Sequence, residues 1–178
     1  QGAFAEMAIV NATQVRVGAG ASCAQVARFA AKNNLVTGEF LAGIPGTVGG
    51  ALFMNAGAFG GETWPCVASV KTINRQGDIT TRDASAFSYA YRHCEGLNPE
   101  EWFVEATFQF VPGNGEQSLK DIRALLDKRK ETQPTGEPSC GSVFRNPPGN
   151  YAAKLIESLN LKGIRCGDAE ISLKHANF

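Results

Sequence analysis

The sequence predicts a mixed fold of the α+β or the α/β class, because helical and strand patterns are interspersed along all 178 residues. The strand pattern is clearest at 102–110 (WFVEATFQF), where every second residue from Trp102 to Phe110 is apolar and is expected to face the core. The helical pattern is clearest after Ser22, where apolar residues recur at helical spacing. A chain of this length forms one domain or two small ones.

The remaining elements of the N-terminal part follow from local signals. Residues 13–17 (TQVRV) alternate like a strand. Ser22 is expected to cap a helix, with Gln25 three residues later as the second half of a capping box. The segments 67–75 and 78–82 are expected to pair as a hairpin, because glycine and polar residues lie between them.

The C-terminal part is expected to contain two helices and a short strand. One helix is predicted to begin at Ser118 and the other to span about 150–161. Between them, SVFR (142–145) has the pattern of a strand closed by a turn at NPPG. The core face of the last helix is expected to consist of Ala152, Leu155, Ile156 and Leu159.

Two prolines and two glycines in TQPTGEPSCG predict a boundary between domains. We therefore expect one domain at 1–131, a linker at 132–141 and a second domain at 142–178.

Composition excludes several function classes. Seventeen basic residues balance seventeen acidic ones, so no net charge attracts nucleic acid or an anionic membrane. No apolar stretch approaches the roughly 20 residues that a membrane helix needs. The five cysteines contain no C-x-x-C pair, and there are only two histidines. A disulfide framework or a metal site is therefore not expected, and a reducing cytoplasm is the expected location.

The stretch GIPGTVGGALFMNAGAFGGE (43–62) contains seven glycines in twenty residues. Bare backbone N–H groups can form a concave nest for a phosphate or pyrophosphate, but the same glycines suit a tightly packed or mobile loop. The apolar residues within the stretch favour an ordered loop, since they are expected to be buried. They are Ile44, Val48, Leu52, Phe53, Met54 and Phe59.

A second glycine pattern, Gly18-Ala-Gly20 followed by Cys23, lies between a predicted strand and a predicted helix, as in dinucleotide-binding Rossmann domains. Cys23 replaces the third glycine, and Glu39 is only loosely placed as the ribose-binding acid. We rank this interpretation lower. The absence of Gly-Lys-Ser/Thr excludes a P-loop.

Four stretches in order resemble one family. The run AGIPGTVGGALFMNAGAFGGE, the segment YAYR (89–92), PSCGSVFRNPPG (138–149) and AAKLIESLNLKG through KHANF are similar to the UDP-N-acetylenolpyruvoylglucosamine reductase family. The resemblance implies an α+β fold: an FAD-binding domain of the vanillyl-alcohol-oxidase type, partly present, followed by part of a substrate-binding domain. It also implies further segments on both sides, a Gly-Ser-Asn loop upstream and a catalytic glutamate downstream, so the chain is expected to be internal to a longer one.

The family resemblance implies FAD and NADPH as cofactors and a UDP-sugar enolpyruvate as substrate. The glycine-rich loop would contact FAD through Gly43, Ile44, Pro45, Gly46, Thr47, Val48, Gly49, Gly50, Asn55 and Gly57. The expected activity is the reduction of the enolpyruvyl ether to UDP-N-acetylmuramate in peptidoglycan precursor synthesis. Two alternatives remain: another FAD-dependent oxidoreductase of the same fold, or a fragment without catalytic activity.

The resemblance also assigns the catalytic roles. Arg92 matches the arginine that stabilises the enolate-like charge, a role for which a permanently protonated guanidinium is well suited. Ser142 matches the proton donor, since a carbanionic centre is basic enough to take a proton from a hydroxyl. Tyr91 and Asn146 match positions that contact the substrate. Without the resemblance, the sequence would predict that Arg92 is a surface arginine and that Ser142 is a serine in a turn.

Overall fold

The computed structural model describes residues 2–178, which form two compact units that meet in sequence between Leu125 and Leu126. We call the N-terminal one unit 1 and the C-terminal one unit 2. The helices are α1 (Cys23–Lys32), α2 (Val48–Phe53), α3 (Gly115–Thr132) and α4 (Ala152–Ser158). The strands are β1 (Met7–Ile9), β2 (Gln14–Gly18), β3 (Leu35–Val36), β4 (Gly57–Ala58), β5 (Gly61–Glu62), β6 (Val67–Asn74), β7 (Ile79–Asp83), β8 (Ser88–Ala90), β9 (His93–Glu95), β10 (Glu101–Gln109), β11 (Val111–Pro112), β12 (Arg165–Cys166) and β13 (Ala169–Glu170).

Unit 1 is built on a five-stranded antiparallel sheet with the strand order β1-β2-β10-β6-β7. Its core is the sheet face where Val15 pairs with Phe108 and Val17 pairs with Ala106, all fully buried. Alternation of apolar and polar residues places the buried set on one face of each strand. Helices and an antiparallel sheet together confirm the α+β class.

Three local predictions for unit 1 are confirmed. The strand at 13–17 is β2, and the hairpin is β6–β7. The hairpin turn is stabilised by the side chain of Asn74, whose Oδ1 accepts hydrogen bonds from the N–H groups of Gln76 and Asp78. The capping box at the start of α1 is present, with Ser22 as the N-cap and Gln25 bonded back to the Ser22 N–H.

The Rossmann interpretation does not fit, because all pairings of the described five-stranded sheet are antiparallel. The glycines of that pattern have a packing role instead. A Cβ on Gly18 would lie 2.3 Å from the carbonyl oxygen of Phe4, and the Gly20 N–H donates to the same oxygen at 2.7 Å. The two glycines let the backbone at 2–5 lie directly against the end of β2.

The alternation predicted for 102–110 is wrong at its start. A bulge between Phe103 and Glu105 shifts the register of β10 against β6. Trp102 is therefore half exposed, and Phe103 turns inward against the rings of Trp64 and Phe87. An extra residue in one strand exchanges the two faces, which strict alternation cannot anticipate.

Three predictions for the C-terminal part also need correction. Helix α3 begins at Gly115 instead of Ser118, because Asn114 Oδ1 accepts from the Gln117 N–H and caps the helix earlier. SVFR forms no strand, although NPPG does form the predicted turn. Helix α4 is shorter than predicted, and Leu155 and Leu159 are exposed, so they do not line a core in this chain.

No helix among the described residues combines the length and the apolar character needed to cross a membrane.

Candidate flavin and substrate site

The glycine-rich loop lies against the segment that joins β2 to α1. The Val48 N–H donates to Ala21 O at 2.9 Å, and the Gly49 N–H donates to Ala19 O at 2.8 Å. In return, Gly46 O accepts from the Cys23 N–H at 3.0 Å. These bonds fix the loop on both sides of Thr47, so the start of α2 is ordered by pairing with another segment. The prediction of an ordered loop is confirmed.

The glycines of this loop divide into two groups. A Cβ on Gly43 would lie 2.4 Å from the ring of Phe59, and one on Gly49 would lie 3.2 Å from Ala19. Packing within the protein therefore favours glycine at Gly43 and, less strongly, at Gly49. A Cβ on Gly46 would meet nothing within 4 Å, and one on Gly50 only the Thr47 hydroxyl at 3.9 Å.

The open glycines coincide with unused backbone donors. Pro45, Gly46, Thr47 and Gly50 are exposed. Among the hydrogen bonds of the described residues, none is donated by the N–H groups of Thr47 and Gly50. Bare backbone with outward N–H groups suits a close-lying phosphate, so the loop fits a flavin dinucleotide. Packing within the protein gives no other reason for glycine at Gly46 and Gly50.

The apolar residues of the loop are buried only in part. Ile44, Val48 and Leu52 are buried, as expected. Phe53 is 59% exposed and Phe59 is 40% exposed, so the prediction that they are buried is wrong in this chain.

Asn55 is buried and adopts φ 40°, in the left-handed region that asparagine tolerates better than most residues. Its Oδ1 accepts from the Trp64 N–H at 3.1 Å. Its Nδ2 donates to Glu62 Oε2 at 2.9 Å and to Ala90 O at 3.3 Å. The side chain is thus bonded on all sides within unit 1, and any contact with a cofactor would have to come from its backbone.

Gly57 opens the small hairpin β4–β5, where a Cβ would lie 2.5 Å from Gly61 O. Close approach of the two strands therefore accounts for glycine here. The predicted contact of Gly57 with FAD remains a prediction.

Tyr91 and Arg92 form the two-residue turn of the hairpin β8–β9, in which Ala90 pairs with His93. Arg92 is half-buried and adopts φ 54°, which is uncommon for a non-glycine residue. Its guanidinium lies 5.8 Å from the centre of the Tyr91 ring, and Tyr91 is 54% exposed. Backbone strain of this kind persists where the surroundings fix the conformation, and it is typical of functional turns.

An aromatic cluster supports this hairpin. Trp64 is fully buried, stacks on Phe87 at 4.7 Å and on Tyr89 at 6.1 Å, and donates from its indole N–H to Leu52 O at 2.8 Å. Trp64 therefore contacts both α2 and the strand that leads to Arg92.

A partly buried ion pair flanks the cluster. Arg82 lies over the Phe87 ring and contacts Glu101 Oε2 at 3.3 Å. Burial alone would raise the pKa of Glu101, but hydrogen bonds from Thr72 and Asn98 and the charge of Arg82 together lower it below the usual value. Glu101 is therefore held as a carboxylate that joins β6, β7 and β10.

In unit 2, Ser142 is half-buried and precedes two residues held by Asn177. Asn177 is buried and forms a clamp on Val143 and Phe144. Its Oδ1 accepts from the Phe144 N–H at 2.9 Å, its Nδ2 donates to Phe144 O at 2.9 Å, and its backbone O accepts from the Val143 N–H at 3.0 Å. This clamp holds the segment SVFR, for which a short strand was predicted.

Asn146 caps α4, since its Oδ1 accepts from the Ala152 N–H at 3.0 Å. Its role in the structure is therefore at a helix start, and its contact with substrate stays a prediction. A cavity of about 490 Å³ in unit 2 is lined by Ser139, Cys140 and Glu170 among others, and neither Ser142 nor Asn146 lines it.

The structure thus brings the glycine-rich loop and the Tyr91–Arg92 turn together in unit 1. Ser142 and Asn146 both lie in unit 2. Sequence reasoning missed Trp64, Asn177 and the role of the Asn55 side chain. Asn177 lies in the KHANF stretch, which is part of the family resemblance, but the sequence did not indicate which residues Asn177 contacts.

Two family models match the chain. Residues 6–82 match the FAD binding domain, and residues 133–178 match the C-terminal domain of UDP-N-acetylenolpyruvoylglucosamine reductase. All 178 residues align with the enzyme of that name from Legionella pneumophila strain Paris at 58% identity. Over its whole length the chain is similar to a part of the UDP-N-acetylenolpyruvoylglucosamine reductases.

Further reductases of this name are similar to most of the chain. The reductase of Methylococcus capsulatus is 57% identical over 161 residues, which are 90% of this chain and 52% of that protein. The crystal structure of the reductase (MurB) from Thermus caldophilus superimposes with a TM-score of 0.84 at 32% identity, covering 100% of this chain and 64% of that one. The chain spans 58% of the length of the Legionella reductase.

The two family-model matches divide the predicted site residues between them. The FAD-binding match includes the loop Gly43–Gly57 and ends before Tyr91 and Arg92. The reductase C-terminal match includes Ser142 and Asn146.

Proposed function

We propose that this chain carries the flavin-binding loop and two catalytic residues of an enzyme that reduces UDP-N-acetylglucosamine enolpyruvate to UDP-N-acetylmuramate. NADPH is the reductant, and the reaction supplies a peptidoglycan precursor in the cytoplasm. The observation that supports this most is the similarity of the whole chain to reductases of this name at up to 58% identity. The reaction consumes NADPH and a proton and saturates one carbon–carbon double bond.

The glycine-rich loop binds FAD in this proposal. The backbone at 43–50 would contact the pyrophosphate, with the exposed N–H groups of Thr47 and Gly50 as donors. When bound, FAD supplies the hydride transfer from NADPH to the substrate. Gly46 and Gly50 permit the close approach, because no protein atom comes within 3.9 Å of the position that a Cβ would occupy.

Arg92 stabilises negative charge on the substrate. Hydride addition to the outer carbon of the enolpyruvyl group pushes an electron pair toward the carboxylate. A guanidinium stays protonated throughout and presents a planar fork of donors to that carboxylate. The strained turn and the ring of Tyr91 hold Arg92 before substrate arrives, so little reorganisation is needed.

Ser142 donates the proton that completes the reaction at the inner carbon. Its hydroxyl loses a proton to the carbanionic centre and regains one from solvent. The Asn177 clamp on Val143 and Phe144 fixes the backbone beside Ser142. Tyr91 and Asn146 complete the proposal as residues that contact the UDP-sugar. The domain division is also proposed: 1–131 for flavin, 132–141 as linker and 142–178 for substrate.

Flavin binding is tested first by a pair of matched glycine variants. Gly46→Ala adds a methyl group to open space on the loop, and Gly136→Ala does so at a site where a Cβ also meets nothing within 4 Å. We expect Gly46→Ala to lose FAD on a desalting column at least about tenfold more readily, since the methyl occupies the ligand's space. Gly136→Ala retains FAD like the parent. Equal retention by both variants would contradict flavin binding at this loop.

Catalysis is tested by anaerobic absorbance of the FAD-loaded protein. NADPH should bleach the flavin, and the enolpyruvyl UDP-sugar should restore its colour. Ser142→Ala should bleach normally but slow product formation by roughly 10²- to 10⁴-fold. Bleaching without recolouring by this substrate would favour another oxidoreductase of the same fold. Failure to bind or bleach would favour a fragment without catalytic activity.

A further inference from the structure

The side chain of Asn55 joins the glycine-rich loop to the turn that carries Arg92. Of its hydrogen bonds, one goes to Trp64 N–H, one to the Glu62 carboxylate and one to Ala90 O. Ala90 is the last residue of β8, and Tyr91 and Arg92 follow it directly. Asn55 itself follows α2 by two residues, so this one amide spans the two parts of the site in unit 1.

The geometry points to Asn55 as a positioning residue that orients Arg92 through Ala90. This inference rests on the proposed catalytic role of Arg92. It assigns the Asn55 side chain no contact with cofactor or substrate, which replaces the sequence-based expectation of a flavin contact by a specific structural task.

Two features indicate that tertiary contacts, and not local preference alone, determine the backbone conformation at Asn55 and Arg92. Asn55 at φ 40° and Arg92 at φ 54° both occupy the left-handed region, one at each end of the link. Asn55 is also only 3% exposed, so its polar atoms depend on these partners in place of water. A strained turn keeps its shape only where neighbouring contacts hold it, and the bond to Ala90 O is such a contact.

Asn55→Asp tests the link with the smallest change in shape. The oxygen that accepts from Trp64 N–H is kept, but the donor to Glu62 and Ala90 becomes a second oxygen facing two acceptors. In the double variant Asn55→Asp, Glu62→Gln, the new amide at position 62 can donate a hydrogen bond to the carboxylate at position 55. The hydrogen bond to Ala90 O stays broken. The double variant guards against a simple folding failure of the single variant.

Amide hydrogen exchange measures the turn directly, without any assay of activity. We expect exchange at 88–95 to accelerate at least about tenfold in both Asn55 variants, while exchange at 67–83 is unchanged. Asn74→Asp is the matched control, because it makes the same change in the turn of the β6–β7 hairpin, where Asn74 Nδ2 donates to Asp78. Unchanged exchange at 88–95 in the Asn55 variants would overturn the proposal.

Turnover of the FAD-loaded protein separates positioning from general stability. A displaced catalytic group costs about 10²-fold per ångström, so the Asn55→Asp, Glu62→Gln variant should lose roughly 10- to 100-fold in kcat with FAD content and NADPH bleaching unchanged. The effect of Asn55→Asp is then measured a second time in a protein that already carries Arg92→Lys. If Asn55 acts through Arg92, adding Asn55→Asp to Arg92→Lys should cost less than threefold more.

If the losses in kcat from Asn55→Asp and from Arg92→Lys multiply in full when the two are combined, Asn55 acts independently of Arg92. That result would overturn the proposal. Absence of turnover in the parent protein would refute the proposed function instead, and the exchange measurement would still decide whether Asn55 holds the turn.

Discussion

Unit 1 and unit 2 hold their predicted site residues by different means. In unit 1 the sheet, α1 and the glycine-rich loop bury large apolar side chains, among them Leu41, Trp64 and Phe108. Among the described residues of unit 2, the buried apolar side chains are the small ones of Pro134, Ala152 and Ala176. There, large apolar side chains such as Leu159 and Leu173 are more than half exposed.

The difference shows how each predicted catalytic residue is fixed. Arg92 lies on a hairpin backed by the stacked rings of Trp64, Phe87 and Tyr89. Ser142 lies beside a segment that is held by the hydrogen bonds of Asn177. Apolar burial stabilises strongly and in proportion to area, whereas each hydrogen bond adds only about 1 kcal/mol. Within this chain, the surroundings of Arg92 should be the more rigid.

The largest expected effect comes from the same substitution made in both units. Leu41→Ala empties a fully buried position and should lower the free energy of unfolding of unit 1 by about 2–5 kcal/mol. Leu159→Ala changes a residue that is 67% exposed and should cost within about 0.5 kcal/mol. Urea unfolding followed by hydrogen exchange in each unit measures both. A comparable loss for Leu159→Ala would mean that unit 2 buries this residue in solution.

The next effect is local to the clamp. Asn177→Ala removes both side-chain hydrogen bonds to Phe144 and should lower the free energy of local opening at 142–146 by about 1–3 kcal/mol. Lys154→Ala, on an exposed face of α4, serves as the control. Hydrogen exchange of the Phe144 amide gives the measurement. Equal exchange rates in the variant and the control would show that other contacts hold this segment.

The contrast between the units also explains which parts of the fold were predictable from sequence. Strand β2, the β6–β7 hairpin and the capping box at Ser22 depend on residues close in sequence, and all three were predicted correctly. The bulge that turns Phe103 inward depends on the pairing of β10 with β6. The segment SVFR bonds to Asn177, 33 residues away, which no local pattern reveals.

The candidate site was predictable through family resemblance more than through physical pattern. The glycine-rich run indicated close approach, but only the structure separates Gly43, which packs against Phe59, from Gly46, which faces open space. The roles of Asn55 and Trp64 arise from contacts with residues 35 and 25 positions away in sequence. Such contacts depend on the tertiary fold, so sequence spacing did not indicate them.

Helix caps provide a smaller test of the same comparison. Ser22 caps α1 from the adjacent position, and its hydroxyl accepts from the Gln25 N–H at 3.3 Å. Asn146 caps α4 from six residues away. Ser22→Ala and Asn146→Ala should each cost about 0.5–2 kcal/mol, in unit 1 and unit 2 respectively. Exposed Ser85 provides a neutral control as Ser85→Ala. Hydrogen exchange locates the loss. A loss of stability in unit 2 for Ser22→Ala, or in unit 1 for Asn146→Ala, would refute the assignment of that cap.

The smallest expected effect is the pH dependence of two glutamates, one in each unit. The pKa of Glu101 is lowered despite its burial, through hydrogen bonds from Thr72 and Asn98 and the charge of Arg82. The pKa of Glu157 is lowered chiefly by a hydrogen bond from Lys162, at an exposed site. A lowered folded pKa means that the ionised form stabilises the fold above the unfolded pKa, about 4.3, and that this stabilisation is lost as the pH falls through the folded value.

Salt separates the two contributions. The side chain of Glu101 is 9% exposed and that of Glu157 is 59% exposed, so 1 M NaCl should screen the pair with Lys162 and leave the pair with Arg82 largely intact. We therefore expect Glu101→Gln to flatten the acid dependence of unit 1 stability in both low and high salt. Glu157→Gln should do so for unit 2 in low salt only. Equal screening of both glutamates would mean that water reaches Glu101, and that the ion pair beside the Arg92 hairpin is as open as the surface of unit 2.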